Sequence, residues 1–204
     1  MAITAIVFDM GGVLIDFDAK RSLSTHFDEE LHELINEKTF ASETWKLMDK
    51  GDLEVEEAIE IMCRDIPCEL HGEVKKMILD HEGEMPPIEE MYNIVKELKE
   101  NGYKIYLLSN CPMWFYDFKN CVPAFSFFDG FIVSAKYNLI KPGKEIYNVL
   151  FEEFSLEASE CFFIDDSPAN IATARELGMH AHCFSDKDFQ KLKSALKDAG
   201  VNIN

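Results

Sequence analysis

The residues able to do chemistry stand at the ends of apolar runs. Ile-Val-Phe leads into Asp9, and the pair Gly11-Gly12 follows almost at once. Leu-Leu runs into Ser109-Asn110, Phe-Phe-Ile runs into Asp165-Asp166, and Lys141 sits in the segment LIKPGKE. If these runs are neighbouring strands, three carboxylates, a hydroxyl and an ammonium meet at one edge. Packed carboxylates repel and take up protons unless a cation relieves them. Oxygen-only ligands around a small hard ion point to Mg²⁺. His180 and His182 form only an H-x-H pair on or beside a strand, too little for a zinc site.

The elements that must carry these residues follow from the hydrophobic pattern. Strand runs fall at residues 3–8, 103–109, 131–135, 160–165 and 179–184, the first two read as buried. Helical patterns fall at 88–102, 144–154, 168–178 and 187–200, with Gly102 and Gly178 as stops and Pro168 near a start. Strand and helix alternating in this rhythm predict an α/β protein with a doubly wound parallel sheet. In such a sheet, ligands bind outside the carboxyl ends of the strands, where Asp9, Ser109 and Asp165 stand.

Residues 19–84 break the rhythm. They hold helix-like runs such as SETWKLMDK and VEEAIEIMCRD and no convincing strand, and they carry 18 acidic against 8 basic residues. The predicted organisation is a core of residues 1–17 and 86–204 with a small helical insert at 18–85, closed by the prolines of GEMPP. Phe27, Phe40, Trp45, Leu47, Met48 and Met62 are expected mostly in the core of that insert. The aromatic stretch CPMWFYDF, residues 111–118, is expected to cover the edge of the main core.

A chain of 204 residues, 47% hydrophobic, is long enough to bury a sizeable core. Its formal charge of −18 argues against nucleic acid and against an anionic membrane surface as partners. A small anionic substrate stays compatible, because a local cation inverts the field in a pocket. The six cysteines show no C-x-x-C pair, and no run is long and apolar enough for a membrane span. The expectation is reduced thiols in a cytoplasmic protein.

IVFDMGGVLID, LLSN, IKPGKEIY and FFIDDSPANI together resemble the four motifs of the haloacid dehalogenase (HAD) superfamily, in order and with its usual gaps. The insert sits where that superfamily places its small helical C1 cap. The closest resemblance is to a subgroup with glycine in the first motif, which includes bacterial phosphatases of glucose 1-phosphate and related sugar phosphates. The resemblance implies a Mg²⁺-dependent phosphatase of small phosphorylated metabolites, hexose 1-phosphates favoured, working through an aspartyl-phosphate. It makes Asp9 the nucleophile and a metal ligand, with Gly11 offering its carbonyl to the metal. Ser109, Asn110 and Gly12 contact the phosphoryl group, and Lys141 neutralises charge as it is transferred. Asp166 touches the metal directly and Asp165 acts partly through water.

One departure stands out. Most phosphatases and mutases of the superfamily place a second aspartate two residues after the first, to protonate the leaving group and then activate water. Here that position is Gly11. Such acid–base help contributes on the order of 10²–10⁴-fold, so its loss favours leaving groups that need little help and disfavours a mutase. Asp16 and Asp18 lie just beyond as possible substitutes, with solvated hinge acids the plainer reading. Two alternatives remain: a HAD fold retained only for binding, and a haloacid dehalogenase, which the acid pair Asp165-Asp166 disfavours.

Overall fold

The computed structural model describes residues 2–79 and 85–204. The end of GEVKKMILD and the start of GEMPP lie outside the described residues. Five parallel strands form one sheet in the order β3-β2-β1-β4-β5. They are β1 (Ala5–Phe8), β2 (Lys104–Ser109), β3 (Gly130–Val133), β4 (Cys161–Asp165) and β5 (His180–Cys183). Strand β1 is central, pairing with β2 on one side and β4 on the other. All four of its residues are buried, as expected of a strand covered on both faces.

The two faces of the sheet build two separate cores. Ile6, Phe8, Leu107 and Ile164 point into one, packed against Met91, Ile94, Val95 and Leu98. Val7, Leu108 and Phe163 point into the other, against Ile146, Tyr147 and Leu150. Alternate residues of each strand therefore serve opposite layers. The chain is a doubly wound α/β fold.

Residues 19–79 form helices with an apolar cluster of their own. These are α1 (Ala19–His26), α2 (His32–Lys38), α3 (Glu43–Lys50), α4 (Val55–Cys63) and α5 (His71–Leu79). Leu23, Phe27, Ile35, Met48, Met62, Val74 and Met77 are buried among them. Leu47, expected inside, is 41% exposed. Helix α1 has only two buried residues, Ser22 and Leu23, so it carries almost no apolar periodicity. Its signal is the N-cap: the Asp18 carboxylate accepts from the N–H groups of Lys20 and Arg21.

The chain leaves and re-enters the sheet through paired linkers. Asp16 N–H donates to the Pro86 carbonyl at 2.8 Å, and Ile88 N–H to the Leu14 carbonyl at 2.9 Å. Asp16 also takes Arg21 of α1 at 2.7 Å and Lys187 of the core at 2.5 Å.

Helix α6 (Glu89–Glu100) precedes β2, and the short α7 (Phe115–Phe118) follows it. Phe115 and Phe118 are buried, so this aromatic stretch does cover the core edge. FIVSA divides: the strand ends at Val133, and Ser134 opens the short helix α8 (Ser134–Tyr137). Helices α9 (Lys144–Phe154), α10 (Pro168–Glu176) and α11 (Phe189–Asp198) complete the layers. No helix among the described residues is long and apolar enough to cross a membrane.

Candidate active site

Adjacent strands β2, β1 and β4 deliver Ser109, Asp9 and Asp165-Asp166 to one edge of the sheet. The Lys141 side chain, 1% exposed, joins them from the segment between α8 and α9. Its Nζ lies 2.8 Å from Asp9 Oδ1 and 2.6 Å from Asp165 Oδ2. Burial alone would lower the pKa of this ammonium, but the charges of Asp9 and Asp165 outweigh burial and hold it raised. Lys141 is therefore a fixed cation.

Asn110 holds that lysine by its backbone. Its amide donates to the Lys141 carbonyl at 3.0 Å and accepts from the Lys141 N–H at 2.8 Å. The carboxamide expected to orient a phosphoryl group is thus engaged in placing Lys141, whose peptide bond to Pro142 is cis. Ser109 is buried at the strand end.

Asp165 is fully buried and heavily bonded. Asn170 donates to both its oxygens at 3.0 Å, and the Ser167 N–H donates to Oδ1 at 2.8 Å. Sequence reasoning had no role for Asn170, which lies on the first turns of α10 facing back to β4. Asp166 is less enclosed, and burial, with Asp165 adding, raises its pKa.

Single oxygens of Asp9, Asp165 and Asp166 lie within 4.8 Å of one another. Three carboxylates share one ammonium there. The strain shows in Asp9, whose pKa burial pushes up to about 7 against the pull of Lys141. That donor set, all oxygen and short of positive charge, fits a hard divalent cation. Gly12 explains the tightness of the turn: its φ is +69°, and a Cβ there would collide with the Asp166 carboxylate. A Cβ at Gly11 would meet nothing within 4 Å.

Beside Met10 and Gly11, which follow Asp9, lies a cavity of about 190 Å³ between the sheet edge and the helical insert. Ile15, Phe17, Phe40, Trp45, Met77 and Trp114 form much of its wall, with Gly11 and Asp49 also lining it. Phe40 and Trp45 thus have a face toward the cavity as well as toward the insert's own core. Asp49, at the end of α3, was not legible in the sequence as a site residue. Asp16 and Asp18 do not line the cavity; one is ion-paired across the linkers and the other caps α1.

A family model described as haloacid dehalogenase-like hydrolase matches residues 3–178. The chain belongs to the haloacid dehalogenase-like hydrolases. It is 29% identical over 181 residues to a sesquiterpene phosphatase of Aspergillus oryzae, covering 86% of each chain. It is 26% identical over 189 residues to a D-ribitol-5-phosphate phosphatase of Bacteroides thetaiotaomicron, covering 85% of this chain and 87% of that one. Among solved structures, a HAD family enzyme of Bacteroides thetaiotaomicron in complex with magnesium and inorganic phosphate superposes with a TM-score of 0.72. Its identity is 22%, with 94% of this chain and 99% of that chain covered. The chain is thus a HAD-like hydrolase, and these two relatives, matched over most of both lengths, are named phosphatases.

Proposed function

We propose that this hydrolase is a Mg²⁺-dependent phosphatase of small phosphate monoesters, acting through a phosphoryl group carried on Asp9. The observation that carries the reading is Asp9 itself: a carboxylate at the end of the central strand, 2.8 Å from a buried ammonium and with oxygens of Asp165 and Asp166 within 4.8 Å, next to a cavity that its neighbours Met10 and Gly11 line. Asp9 and Asp166, with the Gly11 carbonyl and with Asp165 behind, would hold Mg²⁺, which when bound offsets the charge of the phosphoryl oxygens. Lys141 pulls Asp9 toward its ionised form against burial and balances the charge gathered as the phosphorus–oxygen bonds exchange. Ser109 binds a phosphoryl oxygen, and the Gly11-Gly12 turn lets the main chain come close to it. Residues 18–85 act as the cap that excludes water from the intermediate.

The wall of the cavity bears on the substrate. A sugar would set hydroxyls against Ile15, Phe40, Met77 and Trp114, and each hydroxyl left unpaired costs about 1–3 kcal/mol. That lining supports a monoester whose alcohol presents an apolar or aromatic face, in place of the hexose 1-phosphates expected from the sequence resemblance. The sesquiterpene phosphatase among the relatives agrees with this choice.

The test is phosphate release from p-nitrophenyl phosphate, a prenyl phosphate and glucose 1-phosphate with Mg²⁺ or EDTA. Activity should require Mg²⁺ and vanish in Asp9→Asn. The apolar esters should exceed glucose 1-phosphate in kcat/KM by at least about tenfold, as one or two unpaired hydroxyls imply. Sustained turnover by Asp9→Asn would remove Asp9 as nucleophile, and halide release without metal would make the protein a dehalogenase.

A further inference from the structure

We propose that Asp49, carried on cap helix α3, is the general acid and base of this active site and replaces the carboxylate that position 11 lacks. This rests on the phosphatase reading above.

The placement of Asp49 is the first argument. The Ser134 hydroxyl donates to the Asp49 carbonyl and accepts from the Cys111 N–H at 2.8 Å. One core side chain therefore fixes both the cap residue and the loop two residues beyond Ser109. The next turn is seated as well. Asn138 donates to the Gly51 carbonyl at 2.9 Å, and Gly51, at φ +81°, lies so close to Ala135 that a Cβ would collide with its backbone. So the end of α3 is docked on α8, and the half-buried Asp49 side chain opens on the cavity that Gly11 also lines.

The second argument is elimination. Asp49 is the only carboxylate the cap contributes to the wall of this cavity among the described residues, and no Lys or Arg lines it. The two acids nearer in sequence, Asp16 and Asp18, are engaged elsewhere.

The groups facing Asp49 suit the role. Burial, with the charge of Asp9 adding, pushes its pKa up to about 7, while the Trp45 side chain holds it down by a hydrogen bond. Cys111, on the β2 side, is pushed well above the usual thiol range by burial and by Asp49 and Asp9, so it stays neutral. An acid that exchanges its proton near neutral pH is what acid–base catalysis asks for. Asp49 begins protonated. As Asp9 bonds to phosphorus and the ester P–O bond breaks, the Asp49 proton goes to the departing alkoxide, giving a neutral alcohol. The Asp49 carboxylate then takes a proton from the water that attacks phosphorus. Asp9 leaves as carboxylate, inorganic phosphate is released, and Asp49 is protonated again.

The test is Asp49→Asn in the full chain. On an alkyl phosphate, kcat should fall by about 10²–10⁴-fold. On p-nitrophenyl phosphate, whose leaving group needs no proton, the first burst of p-nitrophenol should fall less than about tenfold while steady-state turnover falls at least about 100-fold, with phosphorylated Asp9 accumulating. Gly11→Asp added to Asp49→Asn should recover at least about tenfold, since position 11 has room for a side chain. A merely structural Asp49 would not produce that recovery. A second measurement needs no variant: wild-type rates across aryl and alkyl phosphates should depend only weakly on leaving-group pKa, and a steep dependence overturns the assignment. If the wild type is active and Asp49→Asn stays within about threefold on alkyl phosphates, well short of the expected acid–base contribution, Asp49 is not the acid. If the wild type releases phosphate from no monoester, the phosphatase reading itself fails.

Discussion

Lys141 shows how one residue sets the state of its neighbours. It is a buried ammonium touching two carboxylates, and its removal leaves both without that counter-charge. Breaking a buried pair on one side costs about 3–5 kcal/mol. Lys141→Met should therefore lose about that much in urea unfolding at pH 8, a loss on the scale of buried-pair breakage. The loss should shrink as acid protonates Asp9, and a loss that does not depend on pH would mean the lysine is only filling space. Gly12 is a second decisive residue. Gly12→Ala puts a methyl against the Asp166 carboxylate on a backbone with φ +69°. Mg²⁺ affinity, read from activity against free Mg²⁺, should fall at least about tenfold, or about 1.4 kcal/mol.

At the scale of elements, the docking of α3 on α8 joins the helical insert to the core. Gly51→Ala would force this seat apart, since the added carbon meets the Ala135 backbone. The expected outcome is a fall in kcat on alkyl phosphates together with a lowered Tm, while the circular dichroism of the sheet core is retained. This junction also marks where sequence reading stops. Strands β1, β2 and β4 were legible because a strand buried on both faces must be a continuous apolar run, and the polar residue ending that run stands out. Helix α9 was legible from its periodicity. Helix α1 was not, because its stability comes from the Asp18 cap and few apolar side chains. Asp49 was invisible for a different reason. It lies on a surface-like helix with two acids and two lysines, and only the fold brings it to the cavity that Gly11 lines, 38 residues away in the chain. Asn110's bond to Lys141 was equally invisible: Ser-Asn after a strand gives no sign that the amide is turned to the Lys141 backbone.

For the whole molecule, the acids of the site are a cost to folding. Asp49 is pushed from the ordinary carboxylate range up to about 7 in the folded state. Between those two values the folded chain binds more protons than the unfolded chain, so stability falls as pH rises through that window. Asp49→Asn should accordingly be more stable than wild type at pH 8, by on the order of 2 kcal/mol, with the difference vanishing near pH 4. Chemical denaturation at both values checks it; equal stability at pH 8 would mean Asp49 ionises without strain. The net charge of −18 adds to the load at high pH, and Mg²⁺ in the site should relieve part of it. The cavity wall offers one more consequence. The chain has two tryptophans, and both Trp45 of the cap and Trp114 of the core border the cavity. Indole emission from this protein thus comes entirely from residues of that cavity's wall, so an unlabelled sample should report ligand entry by a change in intrinsic fluorescence.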